Sequence, residues 1–181
     1  MQPGFSFIKN KIQLRAPEPE DINLLYEWEN DPSIWELSNA LIPVSKHTIE
    51  QFIQDSRLDI YQTKQFRYMI DLTSPKGNEA IGTIDLFDFD PLHKRVGVGI
   101  LIKDLSQRRM GYASDALSIL IDYCFQVLDL HQVYCNISND NKASLDLFQK
   151  FGFIITGEKK DWSQDHGKWK NEFLLQLINP G

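Results

Sequence analysis

The segment Arg108–Ala113 combines two cationic side chains with a glycine, and it lies between two apolar stretches. Before it, Val96–Ile102 is an apolar run, interrupted only by glycines, that predicts a buried strand. After it, apolar residues recur at helical spacing from Ala116 to Phe125 and predict an amphipathic helix. Backbone N–H groups at a helix N-terminus attract anions, and Gly111 lets a ligand come close to the backbone. We therefore predict that Arg108–Ala113 is a phosphate-binding loop, called the phosphate loop below.

The phosphate loop lacks the patterns of the two common nucleotide-binding motifs. The Walker loop needs Gly-Lys followed by Ser or Thr, and the dinucleotide fingerprint needs three glycines in the order G-x-G-x-x-G. Arg108, Gly111 and Ala113 instead follow the order R-x-x-G-x-A. That order also arises by chance, so the loop alone fits an ordinary strand-to-helix turn equally well.

A second segment, Asn141–Phe153, begins with a residue suited to capping a helix and has Gly152 where a helix would end. Ser144 follows its first residue by three positions, and Phe148 follows it by seven. Together with the phosphate loop, this spacing resembles the two signatures of the GNAT superfamily of N-acetyltransferases.

The resemblance covers the chain from about Ile12 to Ile178 and implies one domain, residues 1–181. The implied fold is the acyl-CoA N-acyltransferase fold, of the α/β class and α+β type, with helices on both faces of a mixed central sheet of about seven strands. The implied co-substrate is acetyl-CoA, with no metal. In that fold the strand before the phosphate loop parts from the strand after its helix, and the coenzyme lies between them. The residues implied to contact the coenzyme are Ile100, Leu101, Ile102, Arg108, Arg109, Met110, Gly111, Tyr112, Ala113, Asn141, Ser144 and Phe148.

Hydrophobic patterning and turn signals predict the element order β-α-α-β-β-β-α-β-α-β-β, with 31–44 irregular. Strands are predicted at Ile12–Arg15, Phe66–Leu72, Ala80–Phe89, Val96–Ile102, Val133–Ile137, Phe153–Gly157 and Phe173–Ile178, and helices near Pro17, after Ser45, at about Gly111–Leu128 and from Asn141.

Two groups that many GNAT relatives use for proton transfer are missing. The strand glutamate that deprotonates the amine is replaced by Gly97, and the tyrosine that protonates the leaving thiolate is replaced by Phe148. A polyamine ammonium, with a pKa of about 10.4, costs about 4.6 kcal/mol to neutralise at pH 7, whereas an α-amino group costs about one pKa unit. We therefore expect an acceptor of low pKa, such as a peptide N-terminus or an amino sugar.

A base elsewhere on the chain would remove that restriction. Asp85 is the catalytic candidate, followed by Asp88, His93 and Glu29, and each of these acids also fits a solvated surface. Ser144 is a second catalytic candidate, as a proton donor to the thiolate. Ribosomal-protein N-terminal acetyltransferases, which the chain resembles in lacking the tyrosine, have serine at this position. A small residue that only faces the coenzyme fits there as well.

Trp28 and Glu29 of the first predicted helix and Trp35 of the loop after it are expected to contact the acceptor, because aromatic faces and carboxylates suit an ammonium. The two tryptophans equally fit a core or a dimer contact.

Three functions stay open on these grounds. The first is direct acetyl transfer from acetyl-CoA to a primary amine, of a peptide or a small molecule, in a ternary complex. The second is a spermidine N-acetyltransferase, since Phe87–Arg95 and Tyr123–Leu130 resemble segments of that family. The third is a non-catalytic acyl-CoA-binding module, which the missing proton-transfer groups would suit.

Composition restricts the partners and the compartment. The net charge of −6 argues against a nucleic-acid partner. No apolar run is long enough to cross a membrane, so no membrane contact is expected. Cys124 and Cys135 lack metal-type spacing, which favours packing roles in a reducing cytoplasm. By analogy with relatives, a homodimer is expected.

Overall fold

The computed structural model describes residues 4–33 and 42–181. Its strands are β1 (Ile8–Lys9), β2 (Ile12–Arg15), β3 (Phe66–Ser74), β4 (Gly77–Asp90), β5 (Arg95–Ile102), β6 (Gln132–Ser138), β7 (Ile154–Asp165) and β8 (Lys168–Ile178). All eight belong to one sheet in the order β1-β2-β3-β4-β5-β6-β8-β7. Neighbouring strands are antiparallel except β5 and β6, which are parallel.

The helices of the described residues lie between β2 and β3, between β5 and β6, and between β6 and β7. They are α1 (Ile22–Glu29), preceded by the 3-10 turn Pro19–Asp21, α2 (Lys46–Asp55), α3 (Ile60–Thr63), α4 (Tyr112–Asp122) and α5 (Lys142–Lys150). A short 3-10 turn, Leu105–Gln107, precedes the phosphate loop, and a π-helical turn, Tyr123–Val127, continues α4.

The mixed sheet with helices on both faces is confirmed, although it has eight strands rather than about seven. Strand β1 turns into β2 at Asn10, whose φ is 52°. Because β1 has only two residues, the sequence shows no hydrophobic alternation that would predict it. Helix α3 was also missed, although the Asp59 side chain caps it by accepting from the Gln62 backbone. The β7–β8 hairpin is much longer than predicted because its outer half is mostly exposed and lacks an apolar alternation.

Two apolar clusters pack on opposite faces of the sheet. Alternate residues of β3 show this, since Tyr68 and Ile70 belong to the larger cluster and Met69 to the smaller one. Helices α4 and α5 contribute to the larger cluster, and α1 and α2 contribute to the smaller one. The face covered by α1 and α2 is called the α1–α2 face below.

A partly buried ion network connects the start of α1 to the sheet. Arg15 donates to both carboxylate oxygens of Asp21, at 2.6 and 2.9 Å, and to Asp71 at 2.7 Å. Burial alone would raise the pKa of Asp21, but the hydrogen bonds from Arg15 and from the Glu18 backbone lower it overall. A lowered pKa means that Asp21 stabilises the fold above its unfolded pKa, and that this contribution is lost as the pH falls through its folded pKa.

The spacing between β4 and β5 depends on Gly82. A Cβ atom there would overlap the backbone carbonyl oxygen of Leu101, so only glycine allows this approach. We predict that Gly82→Ala lowers the free energy of unfolding by about 3 kcal/mol, because the clash is with backbone and cannot relax by a rotamer change. Urea unfolding measures this. Gly157→Ala is the matched control, since its Cβ would lie 3.8 Å from the Leu174 Cβ, an ordinary contact. Equal stability of the two variants would contradict the predicted clash.

Candidate functional site

The parallel strands β5 and β6 part after three residues. Residues Arg95–Gly97 pair with Gln132–Tyr134, and Gly97 opposite Tyr134 is the last pair. Beyond it, β6 continues to pair with β8 as far as Ser138, while β5 continues to pair with β4. No described strand therefore pairs with the β6-facing edge of β5 beyond Gly97. Backbone N–H and C=O groups need partners, so this edge can bind an extended ligand.

The phosphate loop follows the open end of this gap. Gly111 is the N-cap of α4 with φ of 88°, and a Cβ added to it would meet nothing within 4 Å. The N-cap has no side chain to cap the helix, so the first N–H groups of α4 are available to an anion. Asp115, an acid in the first turn, accepts hydrogen bonds from Asn10 at 3.0 and 3.1 Å.

The two arginines of the loop have different surroundings. Arg108 Nε donates to the carbonyl oxygen of Ile102 at 3.1 Å, which fixes the loop to the end of β5. Arg109 has a left-handed φ of 62°. Met110 is 61% exposed, whereas Tyr112 and Ala113 pack against the larger cluster.

The coenzyme residues predicted on β5 lie along its unpaired edge. The side chain of Ile102 is buried, Ile100 packs on the larger cluster, and Leu101 packs on the smaller one. Their side chains are thus used for packing, and a coenzyme contact would involve their backbone. That contact remains a prediction.

The residues predicted on α5 divide between capping and core. Asn141 Oδ1 accepts from the backbone N–H of Ser144 at 3.2 Å and so caps the helix. Ser144 is half-buried in the first turn. Phe148 is buried and packs edge-on against Phe153, with ring centroids 5.0 Å apart. Contacts of all three with the coenzyme remain predictions.

A guanidinium on the α1–α2 face holds two of the predicted acids. Arg67 donates to both oxygens of Asp85, at 2.7 and 3.0 Å, and to Glu29 at the end of α1. Its guanidinium also lies 5.4 Å from the ring centroid of Phe52. Burial alone would lower the pKa of Arg67, but the two carboxylates raise it overall, so the guanidinium stays charged. Glu29, Arg67 and Asp85 are called the Arg67 triad below.

The triad lies beside the gap, because Asp85 pairs with Gly99 of β5. With both oxygens bound to a guanidinium, Asp85 is poorly placed to accept a proton. No sequence pattern pointed to Arg67, whose role depends on the register of β3 against β4.

The position of the missing strand glutamate is filled by an aromatic ring. A Cβ on Gly97 would overlap the ring of Phe87, which comes from the neighbouring strand. Phe87 in turn packs edge-on against Tyr134, with ring centroids 5.8 Å apart and planes at 84°. The sequence showed that the glutamate is absent but could not show that Phe87 replaces it.

The structure does not bring the three residues predicted to contact the acceptor together into one pocket within the part of the chain that it describes. Trp28 is 8% exposed and belongs to the smaller cluster, so the structure places it in the core rather than on a pocket wall. Glu29 belongs to the Arg67 triad. Trp35 lies outside the described residues. Whether Glu29 and Trp35 contact the acceptor remains a prediction.

Comparisons with known proteins agree with this geometry. The family model of the acetyltransferase (GNAT) domain matches residues 11–154, and the chain belongs to this family. The spermidine N(1)-acetyltransferase of Escherichia coli (strain K12) is 24% identical over 172 residues, which are 93% of this chain and 87% of that protein.

Solved structures give the same fold. The crystal structure of spermidine N-acetyltransferase from Vibrio cholerae in complex with CoA and spermine has a TM-score of 0.82 at 19% identity, covering 94% of this chain and 96% of that one. A putative ribosomal-protein-serine acetyltransferase from Vibrio cholerae has a TM-score of 0.71 at 23% identity, covering 99% and 100%.

The predicted family, fold, co-substrate and enzyme class are therefore confirmed: the chain is an acetyl-CoA-dependent N-acetyltransferase of the GNAT family. The residues present fit the coenzyme, since the space at Gly111 is open and the β5 edge is unpaired. Within residues 4–33 and 42–181, no helix is both long and apolar enough to span a bilayer.

Arg108 provides a test of where the phosphates bind. We predict that Arg108→Glu weakens CoA binding at least tenfold, about 1.4 kcal/mol, because it replaces an attractive charge by a repulsive one. Isothermal titration calorimetry measures the affinity. Arg57→Glu makes the same charge change on the exposed turn after α2 and is the control. Unchanged CoA affinity in Arg108→Glu would show that the phosphates bind elsewhere.

Proposed function

We propose that this N-acetyltransferase acetylates a primary amine, of a peptide N-terminus or a small molecule, by direct attack in a ternary complex. The observation that carries the proposal is where β5 and β6 part. The open end of the gap leads to the phosphate loop at Ile102, and its closed end at Gly97 lies next to the Arg67 triad.

Separate parts of the chain serve the two substrates in this proposal. The β5 edge, the phosphate loop and the N-terminus of α5 hold the coenzyme, which supplies an activated thioester when bound. The α1–α2 face holds the acceptor. Because the two sets of residues do not overlap, both substrates can be bound at once, and the attacking nitrogen is positioned rather than captured from solution.

The Arg67 triad attracts an ammonium in this scheme. Two carboxylates and one guanidinium leave a net charge of −1 beside Gly99. Since Asp85 and Glu29 already accept hydrogen bonds from Arg67, neither is a ready base. The acceptor must then lose its proton to water or to a more distant group, which favours an amine of low pKa.

The alternatives differ in what supports them. The names of the relatives favour spermidine as acceptor. The ring of Phe87 over Gly97 and the hydroxyl missing at Phe148 favour a module that binds acyl-CoA without turnover. We further propose a cytoplasmic location, which is supported by the free, buried Cys124 and Cys135. We also propose a single domain over residues 1–181 and, by analogy with relatives, a homodimer.

Acetyl-CoA turnover against a panel of amines tests the proposal. At pH 7 an α-amino group has about two orders of magnitude more neutral amine than a polyamine ammonium. We therefore predict that kcat/KM for short peptide amides and amino sugars exceeds that for spermidine at pH 7, and that the difference narrows as the pH rises to 9. The released thiol is measured.

Two outcomes would contradict the prediction. Turnover confined to spermidine at pH 7 would show that a base acts on the acceptor and would refute the low-pKa requirement. Tight CoA binding without turnover of any amine would refute catalysis and leave the binding module.

A further inference from the structure

Tyr134 is the residue of β6 at the point where β5 and β6 part. It pairs with Gly97, the last residue of β5 in the parallel ladder. Its neighbours Val133 and Cys135 belong to the larger cluster, so the Tyr134 ring lies on the opposite, α1–α2 face. The proposed function places the acceptor on this face, so the phenol lies on the acceptor side of the closed end of the gap.

The ring of Phe87 contacts this phenol and helps to fix its position. It lies over Gly97, where a Cβ atom would overlap it, and its centroid is 5.8 Å from that of Tyr134, with the planes at 84°. Phe87 therefore fills the place of the missing strand glutamate, and its side chain has no group that accepts a proton. The aromatic pair thus brings a phenol, instead of a carboxylate, to this part of the site.

A β-bulge in β4 turns Asp88 toward the phenol. Leu86 and Phe89 both pack in the larger cluster, although residues three apart on a regular strand lie on opposite faces. The register of β4 against β5 shifts around Asp88, which has a left-handed φ of 51°. An extra residue of this kind re-aims a side chain. As a result, Oδ2 of Asp88 accepts a hydrogen bond from the Tyr134 hydroxyl at 3.4 Å.

Asp88 is better placed than Asp85 to receive a proton. Both oxygens of Asp85 accept hydrogen bonds from Arg67. Within residues 4–33 and 42–181, no Lys, Arg or His nitrogen lies within 4 Å of the Asp88 carboxylate. Asp88 is exposed, and together with Tyr134 it lines a cavity of about 660 Å³. A proton that reaches this carboxylate can therefore pass on to water.

The surroundings of the Tyr134 hydroxyl keep it protonated at rest. Burial, and next the charge of Asp88 and the hydrogen bond to it, raise the pKa of Tyr134, whereas Arg95 lowers it. Arg95 itself donates to Asp90 at 3.2 Å. The hydroxyl thus donates to Asp88, and the lone pairs of its oxygen can accept a hydrogen bond from a substrate.

Acetyl transfer needs a group that takes a proton from the attacking nitrogen. A neutral primary amine becomes cationic as it bonds to the carbonyl carbon, and it must lose one N–H proton to give the neutral amide. This proton is distinct from the one that the ammonium loses before the attack. Asp85 and Glu29 are poorly placed to take it, since both accept hydrogen bonds from Arg67.

We propose that Tyr134 is a catalytic residue that accepts this proton while it passes its own to Asp88. The inference rests on the proposed function and adds a proton path to it. As the nitrogen–carbon bond forms, the carbon–sulfur bond breaks and its electron pair stays on sulfur. The amine proton moves to the Tyr134 oxygen, and the hydroxyl proton moves to Oδ2 of Asp88. No phenolate is needed, because one proton arrives as the other leaves.

Removal of the hydroxyl tests the proposal. Tyr134→Phe keeps the ring that packs against Phe87, so the fold and the CoA affinity should be retained. We expect kcat to fall about hundredfold, the effect of losing a general base, with KM for the amine unchanged. Released thiol is measured with alaninamide, glucosamine and spermidine, and calorimetry measures CoA affinity. Tyr61→Phe is the matched control, because the ring of Tyr61 also packs edge-on against a phenylalanine, Phe89, with centroids 5.0 Å apart.

A second variant tests whether the two residues act as a pair. Asp88→Asn suits the left-handed φ at this position, so the fold should be retained. It should lower kcat less than Tyr134→Phe does, because water in the cavity can take the proton from the phenol. Residues that act as one unit have non-additive effects, so the double variant should lose no more kcat than Tyr134→Phe alone. Asp129→Asn, which removes an exposed carboxylate paired with Lys94, is the control.

The outcomes separate the two levels of inference. Unchanged kcat in Tyr134→Phe, a raised KM with kcat retained, or losses that multiply in the double variant would overturn the proton path while the proposed function stands. Absence of turnover with every amine in the unaltered protein would overturn the proposed function, and this inference with it.

Discussion

The separation of β5 from β6 is the constraint on which the rest of the site depends. Along its other edge, strand β6 pairs with β8 over its whole length. Along its other edge, β5 pairs with β4 as far as Ile102. The two therefore need not stay paired, and one edge of β5 is left with unpaired backbone groups after Gly97. An extended ligand with amides of its own can supply the missing partners. Gly82 supports this arrangement, because it lets β4 hold β5 closely on the opposite edge.

The α4 N-terminus complements this edge. The gap ends where the chain leaves β5, and the chain returns as α4 with uncapped amides at Gly111. Arg108 joins the two by donating to the last carbonyl of β5. A molecule with amides at one end and phosphates at the other can thus pair its amides with the β5 edge and its phosphates with the α4 N-terminus. For this physical reason we propose that the strand, the glycine and the helix start in this order hold the pantetheine arm and the pyrophosphate of the coenzyme.

Much of this half of the site could be predicted from the sequence because it depends on local patterns. An apolar run, a glycine at a helix start and an Asn capping α5 are each visible within a few residues. The acceptor half could not be predicted in the same way. Arg67 meets Glu29 and Asp85 only through the register of β3 with β4 and the packing of α1. The ring of Phe87 covers Gly97 across a strand pair, and the long β7–β8 hairpin has an exposed outer half without apolar alternation.

The roles of the acidic residues also depend on contacts between distant parts of the chain, which local sequence patterns do not show. In the sequence, Asp85 and Glu29 were candidates for a base and a substrate contact, and Asp88 was one acid among several. In the structure, two of them share a guanidinium, and Asp88 faces a cavity with a phenol as its partner. One guanidinium between two carboxylates leaves the Arg67 triad with a net charge of −1, whereas Asp88 keeps its whole negative charge, so both add to the local negative potential but to different extents. Charge on the acceptor face therefore depends on pairing rather than on composition.

A crystal structure of the complex with CoA tests the central claim most directly. We predict that the pyrophosphate lies on the backbone amides of Gly111–Ala113 and that the pantetheine arm follows the β5 edge from Val98 to Ile102. A complex in which side chains fill the gap between β5 and β6, with the coenzyme bound at another surface, would contradict it.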